Sequence, residues 1–333
     1  MRLRLATFNL ENLDDTPDLD PPLATRIEVL RPQLLRLDAD VLCLQEVHGQ
    51  RGPDKGPRRL LALDRLLEGT AYAGHARVST MSTGEHGDEA WVADLHNLVV
   101  LSRLPIHESH EVKAELVEAP SWRLTTADPP AGEPRACTWD RPLLHAVLDL
   151  PGGRRLHILN LHLRAPTAAH VPGQKAGPFA WRSTAAWAEG YFVAGLKRTA
   201  QALEARLLVD RLLDAEPLAL IAVMGDCNAD ERETPLRLLM AETADTGNGA
   251  LAARALVPLE RSLPRDRRYT VIHKGRPVML DHILVSRPLL AHFRRLEIHA
   301  ETLSDELDPS TIVEHATESY HAPLVAEFEL PDG

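Results

Sequence analysis

Seven consecutive apolar residues, Leu218-Ala219-Leu220-Ile221-Ala222-Val223-Met224, run without a break into Gly225-Asp226-Cys227-Asn228. An apolar run of that length closed by glycine reads as a buried strand. Such a strand delivers a carboxylate and a carboxamide, two residues apart, to the edge of a sheet. Alternation sends every second side chain to one face, so Asp226 and Asn228 are expected to point into one site. A carboxylate orients or deprotonates a nucleophile, and a carboxamide donates to an anionic oxygen without adding charge. The pairing suits attack of water on phosphorus. The alternative is an Asx-turn at a strand end.

Other segments repeat the arrangement. Leu3-Arg4-Leu5-Ala6-Thr7-Phe8-Asn9-Leu10-Glu11-Asn12 alternates and then enters an Asn-rich turn. Asp40-Val41-Leu42-Cys43-Leu44-Gln45-Glu46-Val47 is a second buried strand with an acid near its exit. Leu156 to Leu163, Val278 to Val285 and Ser319 to Phe328 each set His, Asp or Asn among apolar neighbours. Buried charge is costly unless it is paired, so polar residues at the ends of so many apolar strands imply a shared polar site.

The ordered set Thr7-Phe8-Asn9, Leu44-Gln45-Glu46-Val47, Asn97 to Ile106, Asn160-Leu161-His162, Gly225-Asp226-Cys227-Asn228, Leu280-Asp281-His282-Ile283 and Ser319-Tyr320-His321-Ala322-Pro323 resembles the endonuclease/exonuclease/phosphatase, or DNase-I-like, superfamily. The resemblance spans nearly the whole chain. It implies an α+β fold, a four-layer αββα sandwich of two mixed β-sheets packed face to face with helices on both outer faces. It also implies hydrolysis of phosphoester bonds with Mg2+ or Mn2+ as cofactor. Glu46 is then the principal metal ligand, with Asn9 binding metal or phosphate. Asp226 orients or deprotonates water, and Asn228 and His162 hold phosphoryl oxygens. His321 is a phosphate donor or the general base, with Asp281 fixing its tautomer. Arg141 and Asn97 are expected at the substrate, and His282 is expected to face the other way. One position departs from the pattern: the family's last motif usually has Asp, often a metal ligand, where this chain has Tyr320. Tyrosine is a poor ligand for Mg2+ below its pKa of about 10. That leaves Tyr320 as a substrate-side residue, with Glu314, Glu318 or Asp14 as candidates to compensate.

Because that site draws on both ends of the chain, residues 1–333 are expected to form one domain, with an insert at about 164–198. The insert carries Trp181, Trp187, Tyr191 and Phe192 after Phe179, and the basic residues Arg164, Lys175, Arg182 and Lys197. It reads either as a substrate wall or as a segment docking the next helix on the core. Helices are expected over about 24–37, over Leu60 to Leu67, and from Leu196 to near Glu216-Pro217, and paired strands over Leu143 to Leu150 and Leu156 to Leu163. The first strand, starting at Arg2 or Leu3, leaves no room for a secretory leader. Three cysteines are an odd number and read as reduced, which together point to the cytoplasm. The formal charge of −11 argues against a general polyanion binder. Seven basic residues against two acidic ones between Arg254 and Arg276 provide a local positive stretch. The partner expected is a phosphoester substrate, a nucleic acid or nucleotide first. The alternatives are a lipid or inositol-phosphate hydrolase and a non-catalytic binding protein that has lost its metal through Tyr320.

Overall fold

The computed structural model describes residues 1–16, 19–52, 56–82, 91–178, 180–307 and 318–331. Along the chain lie β1 (Arg2–Leu13), α1 (Leu23–Leu37), β2 (Val41–Val47), α2 (Leu61–Leu67), β3 (Ala76–Ser79), β4 (Asn97–Ser102), β5 (Ile106–Val112), the short strands β6 (Ser121–Trp122) and β7 (Arg135–Ala136), β8 (Leu143–Asp149) and β9 (Arg155–His162). They are followed by α3 (Thr184–Ala215), β10 (Leu220–Asp226), α4 (Thr234–Met240), α5 (Thr243–Thr246), β11 (Val257–Pro258), β12 (Val271–His273), β13 (Arg276–Val278), β14 (Asp281–Val285), α6 (Arg287–Leu290), β15 (Phe293–Ile298) and β16 (Leu324–Glu329).

Two six-stranded mixed sheets result, ordered β15-β16-β1-β2-β4-β3 and β11-β14-β10-β9-β8-β5. Strand alternation decides how they stack. Leu3, Leu5, Val41, Cys43, Leu98 and Val100 of the first sheet share one buried cluster with Leu144, Ala146, Ile158, Ala222, Met224 and Ile283 of the second. The opposite residues of the first sheet, Phe8, Leu42, Leu44 and Val99, pack under Leu30 and Leu34 of α1 and Leu63 and Leu66 of α2. Those of the second, Leu159, Leu161, Ile221, Val223 and Leu284, pack under Ala205, Leu208 and Val209 of α3 and Leu236 and Leu239 of α4. The four expected layers are thus present. No helix among the described residues is long and apolar enough to cross a membrane.

A buried polar network fixes how the two sheets slide on each other. Gln45 Nε2 donates across the sandwich to Asn160 Oδ1 at 2.8 Å and within its own sheet to Thr7 Oγ1 at 3.0 Å. The Asn160 amide donates back to the carbonyls of Leu44 and Val99, at 3.1 and 2.9 Å. A satisfied buried network of this kind specifies one alignment, because a slip strands several donors at once. Asn160 therefore places its neighbour-but-one, His162, at the mouth of the sandwich.

Three elements differ from expectation or refine it. Helix α3 starts at Thr184 rather than near Leu196, because Ser183 caps it by accepting from the Ala186 N–H. The aromatic residues of the insert therefore ride on the first turns of the helix. Pro32 lies inside α1 without ending it. The proline-rich stretch 118–137 forms the two-residue hairpin of β6 and β7.

Candidate active site

The site is built where alternation is broken. On β1 the inward set Leu3, Leu5 continues through Thr7 to Asn9. On β2 the inward set Val41, Cys43 reaches Gln45, so alternation alone would aim Glu46 at the helices. Its backbone is left-handed instead, φ 58°, and the β2 ladder slips register between Leu44 and Val47. That bulge turns the carboxylate toward β1, where Glu46 Oε1 accepts from Asn9 Nδ2 at 3.2 Å and Oε2 from the Asn12 N–H at 3.0 Å. Glu11, Asn12, His96 and Asn228 are also left-handed, with φ of 51°, 52°, 58° and 47°. Backbone strain of this order concentrates where side chains must be aimed.

The second sheet contributes a row set by pairing. Asp226 on β10 is opposite His162 on β9 and Asp281 on β14. Gly225 permits the close approach: its φ is 136°, and a Cβ there would sit 2.0 Å from the Leu161 carbonyl oxygen. Asp226 is the hub of the site. Its Oδ1 accepts from the Asn228 N–H at 2.8 Å, and its Oδ2 accepts from Asn9 Nδ2 at 3.1 Å and from Asn228 Nδ2 at 3.2 Å. His162 Nε2 lies 3.3 Å from Asp226 Oδ2 and 3.7 Å from Glu46 Oε1. His321 Nε2 lies 4.0 Å from Asp226 Oδ2, while its Nδ1 is 2.7 Å from Asp281 Oδ2. Ser319 ties the last motif to the first, donating to the Asn9 carbonyl at 2.7 Å and accepting from the His321 N–H at 3.0 Å.

These placements set the charges. Burial opposes a charged His321, but the field and hydrogen bond of Asp281 outweigh it and hold the imidazolium well above the ordinary histidine range. Burial and the guanidinium of Arg141 drive His162 well below that range, so its ring is neutral. Burial, and then the charge of Asp281, push Asp226 up to about 7, with His321 partly offsetting them. Burial also pushes Glu11 up to about 7, and Glu46 adds to the rise.

The expected residues are not all placed for the roles expected of them. Glu46, His162, Asp226, Asp281 and His321 converge. Asn9 does too, but it turns its amide N–H2 to the two carboxylates, while its oxygen accepts from the Glu11 N–H at 2.9 Å. It therefore crosslinks acids rather than presenting an oxygen to a metal. Asn228 has both side-chain N–H groups committed, to Asp226 and, at 3.1 Å, to the Leu163 carbonyl. That fits an orienter of Asp226 better than an oxyanion donor. Asn97 spends its amide on the carbonyls of Val47 and Ala93, at 2.9 and 2.8 Å, and on the Ala93 N–H at 2.7 Å. It is a structural clamp with nothing left for substrate. Arg141 lies within the fields of Glu46 and Asp226 and contacts His96 Nδ1. Tyr320 is half-buried beside Glu11, Glu306 and Glu318, whose charges, after burial, raise its phenol. Of the compensating acids, Asp14 faces His48 and Gln50, Glu318 accepts from the Ser304 hydroxyl, and Glu314 lies outside the described residues.

Sequence reasoning missed the roles of five contributors. Glu11 lies two residues beyond Asn9, but its backbone is left-handed and the β1 ladder slips there, so alternation does not give its direction. His96 bridges the site rim, its Nε2 3.0 Å from Asn12 Oδ1, and nothing but its place beside Asn97 marks it. Arg26 of α1 donates to the carbonyls of Leu10 and Asn12 at 2.7 and 3.2 Å and so holds the left-handed turn around Glu11. Glu260 pairs with His282, which faces away from the site as expected and donates from Nε2 to the Ala229 carbonyl at 2.9 Å. Arg198 of α3 donates to the adjacent Asn228 carbonyl. The turn that aims Asn228 is thus held from both sides.

The buried Glu260–His282 pair has a measurable signature. Burial opposes its charge, but Glu260 outweighs burial and pushes His282 up to about 9 from 6.5. A folded pKa above the unfolded one favours the folded chain when the proton is bound. The stabilisation is complete below pH 6.5 and is lost as pH rises through about 9. Glu260→Gln should cost about 3–5 kcal/mol at pH 6 and remove much of the fall in Tm toward pH 9.5. Parallel Tm profiles for wild type and variant in scanning calorimetry would contradict this account.

The insert is tied to the β6–β7 hairpin at one place and leaves Trp187, Tyr191 and Phe192 largely exposed. Trp122 meets Phe192 edge to face, and the Glu189 carboxylate accepts from Trp122 Nε1 and from the N–H and hydroxyl of both Thr125 and Thr126. Trp187 and Tyr191 stack on each other and remain 47% and 44% exposed. Phe179 lies outside the described residues.

The model of the endonuclease/exonuclease/phosphatase family matches residues 6–305. The chain belongs to that family. Among solved structures, a family protein from Bacteroides thetaiotaomicron is similar over 99% of this chain and 96% of its own, at TM-score 0.57 and 15% identity. The human Nocturnin catalytic domain with bound sulfate covers 98% of this chain and 94% of its own, at 0.53 and 17%. Truncated Caenorhabditis elegans TDP2 covers 98% and 97%, at 0.53 and 14%. At such identities the likeness concerns fold. No curated protein matches the chain.

Proposed function

We propose that this phosphoester hydrolase is a metal-dependent phosphodiesterase in which Asp226 activates the attacking water. The observation that carries the reading is the placement of Asp226, a buried carboxylate 3.3 Å from His162 Nε2 and 4.0 Å from His321 Nε2, whose affinity for a proton is raised by burial and by Asp281. A carboxylate pushed up to about 7 accepts a proton at neutral pH and releases it again. His321, kept cationic by Asp281, suits donation to a phosphoryl oxygen and not proton abstraction. That favours the first of the two roles open to it. Neutral His162 and the guanidinium of Arg141 face the same carboxylates and are placed to steady charge that builds on the phosphoryl group. Asn9 and Asn228 hold the carboxylates in position.

The donor set fits a hard divalent cation. Glu46, His162 and Asp226 present ligand atoms within 4.8 Å of one another, as do Asp226, Asp281 and His321. Glu11 brings a further acid whose burial without a partner is unfavourable. Glu46 would hold Mg2+ or Mn2+, with Glu11 supplying the oxygen that Tyr320 does not. When bound, the ion supplies Lewis-acid polarisation of the phosphoryl group. The substrates we favour are nucleotides or single-stranded nucleic acid; among proteins that share the fold, the Neisseria 3' phosphatase was solved with a product DNA hairpin. Three free, buried cysteines support a cytoplasmic setting.

The test is hydrolysis of bis-p-nitrophenyl phosphate, p-nitrophenyl phosphate, oligonucleotides and sphingomyelin with Mg2+ or Mn2+. Activity should vanish in EDTA. Glu46→Gln should raise the half-saturating metal concentration by about 10- to 100-fold. Full activity in EDTA removes the metal from the reading, and turnover confined to sphingomyelin moves it to lipids.

A further inference from the structure

Three histidines that the reaction above does not use meet on the outer face of the second sheet. His110 on the edge strand β5 is directly opposite His145 on β8. His157 on β9 is opposite Val147, two residues further along β8. All three rings therefore rise from the face that carries Leu143 and Leu159 under α3. That is the face opposite His162 and Asp226.

The two contacts between the rings differ. His145 Nε2 lies 3.0 Å from His157 Nδ1, an ordinary hydrogen-bond length. His110 Nε2 lies 3.3 Å from His145 Nδ1, with the rings edge-on at 82°. This is beyond the usual N–H···acceptor range. It matches the edge of a tetrahedron of nitrogen ligands about 2.0–2.1 Å from a zinc ion, which is about 3.3–3.4 Å.

We propose that His110 Nε2 and His145 Nδ1 bind a borderline transition-metal cation such as Zn2+, with His157 fixing the His145 ring. If His145 donates from Nε2 to His157, its Nδ1 carries a free lone pair, the tautomer a ligand requires. Metal-bound imidazoles usually give their other N–H to such an acceptor. His110 is exposed and opens the site to solvent, leaving the other coordination positions to water. Glu108 sits on the same face of β5, and its charge reaches His157. Two nitrogen donors disfavour Mg2+, which requires oxygen, so excess Mg2+ competes at the acidic site and not at this one. A cation here joins the edge strand to its neighbour, at the place where a sheet is otherwise held on one side alone.

Calorimetric titration of the EDTA-stripped full chain with ZnCl2 in excess Mg2+ tests this. The wild type should bind zinc and gain Tm as it does. His110→Gln, at an exposed position that tolerates replacement, should lose both effects. His157→Phe should weaken binding by about 10- to 100-fold. Glu46→Gln should leave the zinc isotherm unchanged, which separates this site from the acidic one whether or not the chain is a hydrolase. Zinc binding that survives His110→Gln, or that Glu46→Gln removes, overturns the proposal. If His157→Phe does not fold, the His110→Gln result decides alone.

Discussion

Asp226→Asn should lower kcat by about 100- to 10,000-fold, the range that general-base catalysis supplies. The reason is geometric. Three N–H groups and two histidines converge on this one carboxylate, and an amide in its place takes no proton from water. Tm should fall, because whichever way the amide is turned its NH2 meets an N–H donor, a cost of about 1–3 kcal/mol that removing a charge disfavoured by burial and by Asp281 partly offsets. KM for bis-p-nitrophenyl phosphate should change far less than kcat. A kcat within a factor of a few of wild type in a folded variant would remove Asp226 from the proton transfer and point to His321 as the base.

The second large effect concerns the pair behind it. Asp281→Asn and His321→Ala should each cost about 100- to 1,000-fold in kcat/KM, and the double variant little more than either, because groups acting as a unit are not additive. Asp281 Oδ2 is the hydrogen-bond partner of His321 Nδ1 in a fully buried contact of 2.7 Å. Its Oδ1 is buried without a partner, so it has no second structural tie to obscure the cycle. Losses that multiply across the double variant would show that Asp281 and His321 act separately.

Much of this site is legible in the chain because its logic is that of strand exits. Asp226, His162 and Asp281 each follow apolar residues of matching parity, and registry then lines them up. Glu46 stands out as an acid at a strand exit, but its orientation could not be read, since alternation aims it at the helices and only the left-handed backbone at the bulge redirects it. Asn9, Asn97 and Asn228 show the limit more sharply. A carboxamide is both donor and acceptor, and sequence cannot say which end is committed. In the folded chain all three give their N–H groups to carboxylates or carbonyls of the protein itself. The roles of Arg26 and Arg198 were invisible because their work is done through backbone carbonyls, which leave no pattern. The start of α3 was missed because alanines and aromatics in the insert resemble a loop rich in Pro and Gly until Ser183 caps them.

The first and last strands of the described fold are neighbours: β1 lies between β16 and β2, and Ser319 reaches the Asn9 carbonyl across a separation of 310 residues. On a ribosome adding about 5–20 residues per second, roughly 15–60 s separate the emergence of those two partners. Until then β1 has an open flank, and the Asp226 carboxylate has neither His321 nor the serine link that holds it. The charged pair beside Asp226 therefore forms only after residue 321 has emerged. An arrested or proteolysed chain that lacks its final strand would be not a weaker enzyme but an adhesive fragment with a bare sheet edge.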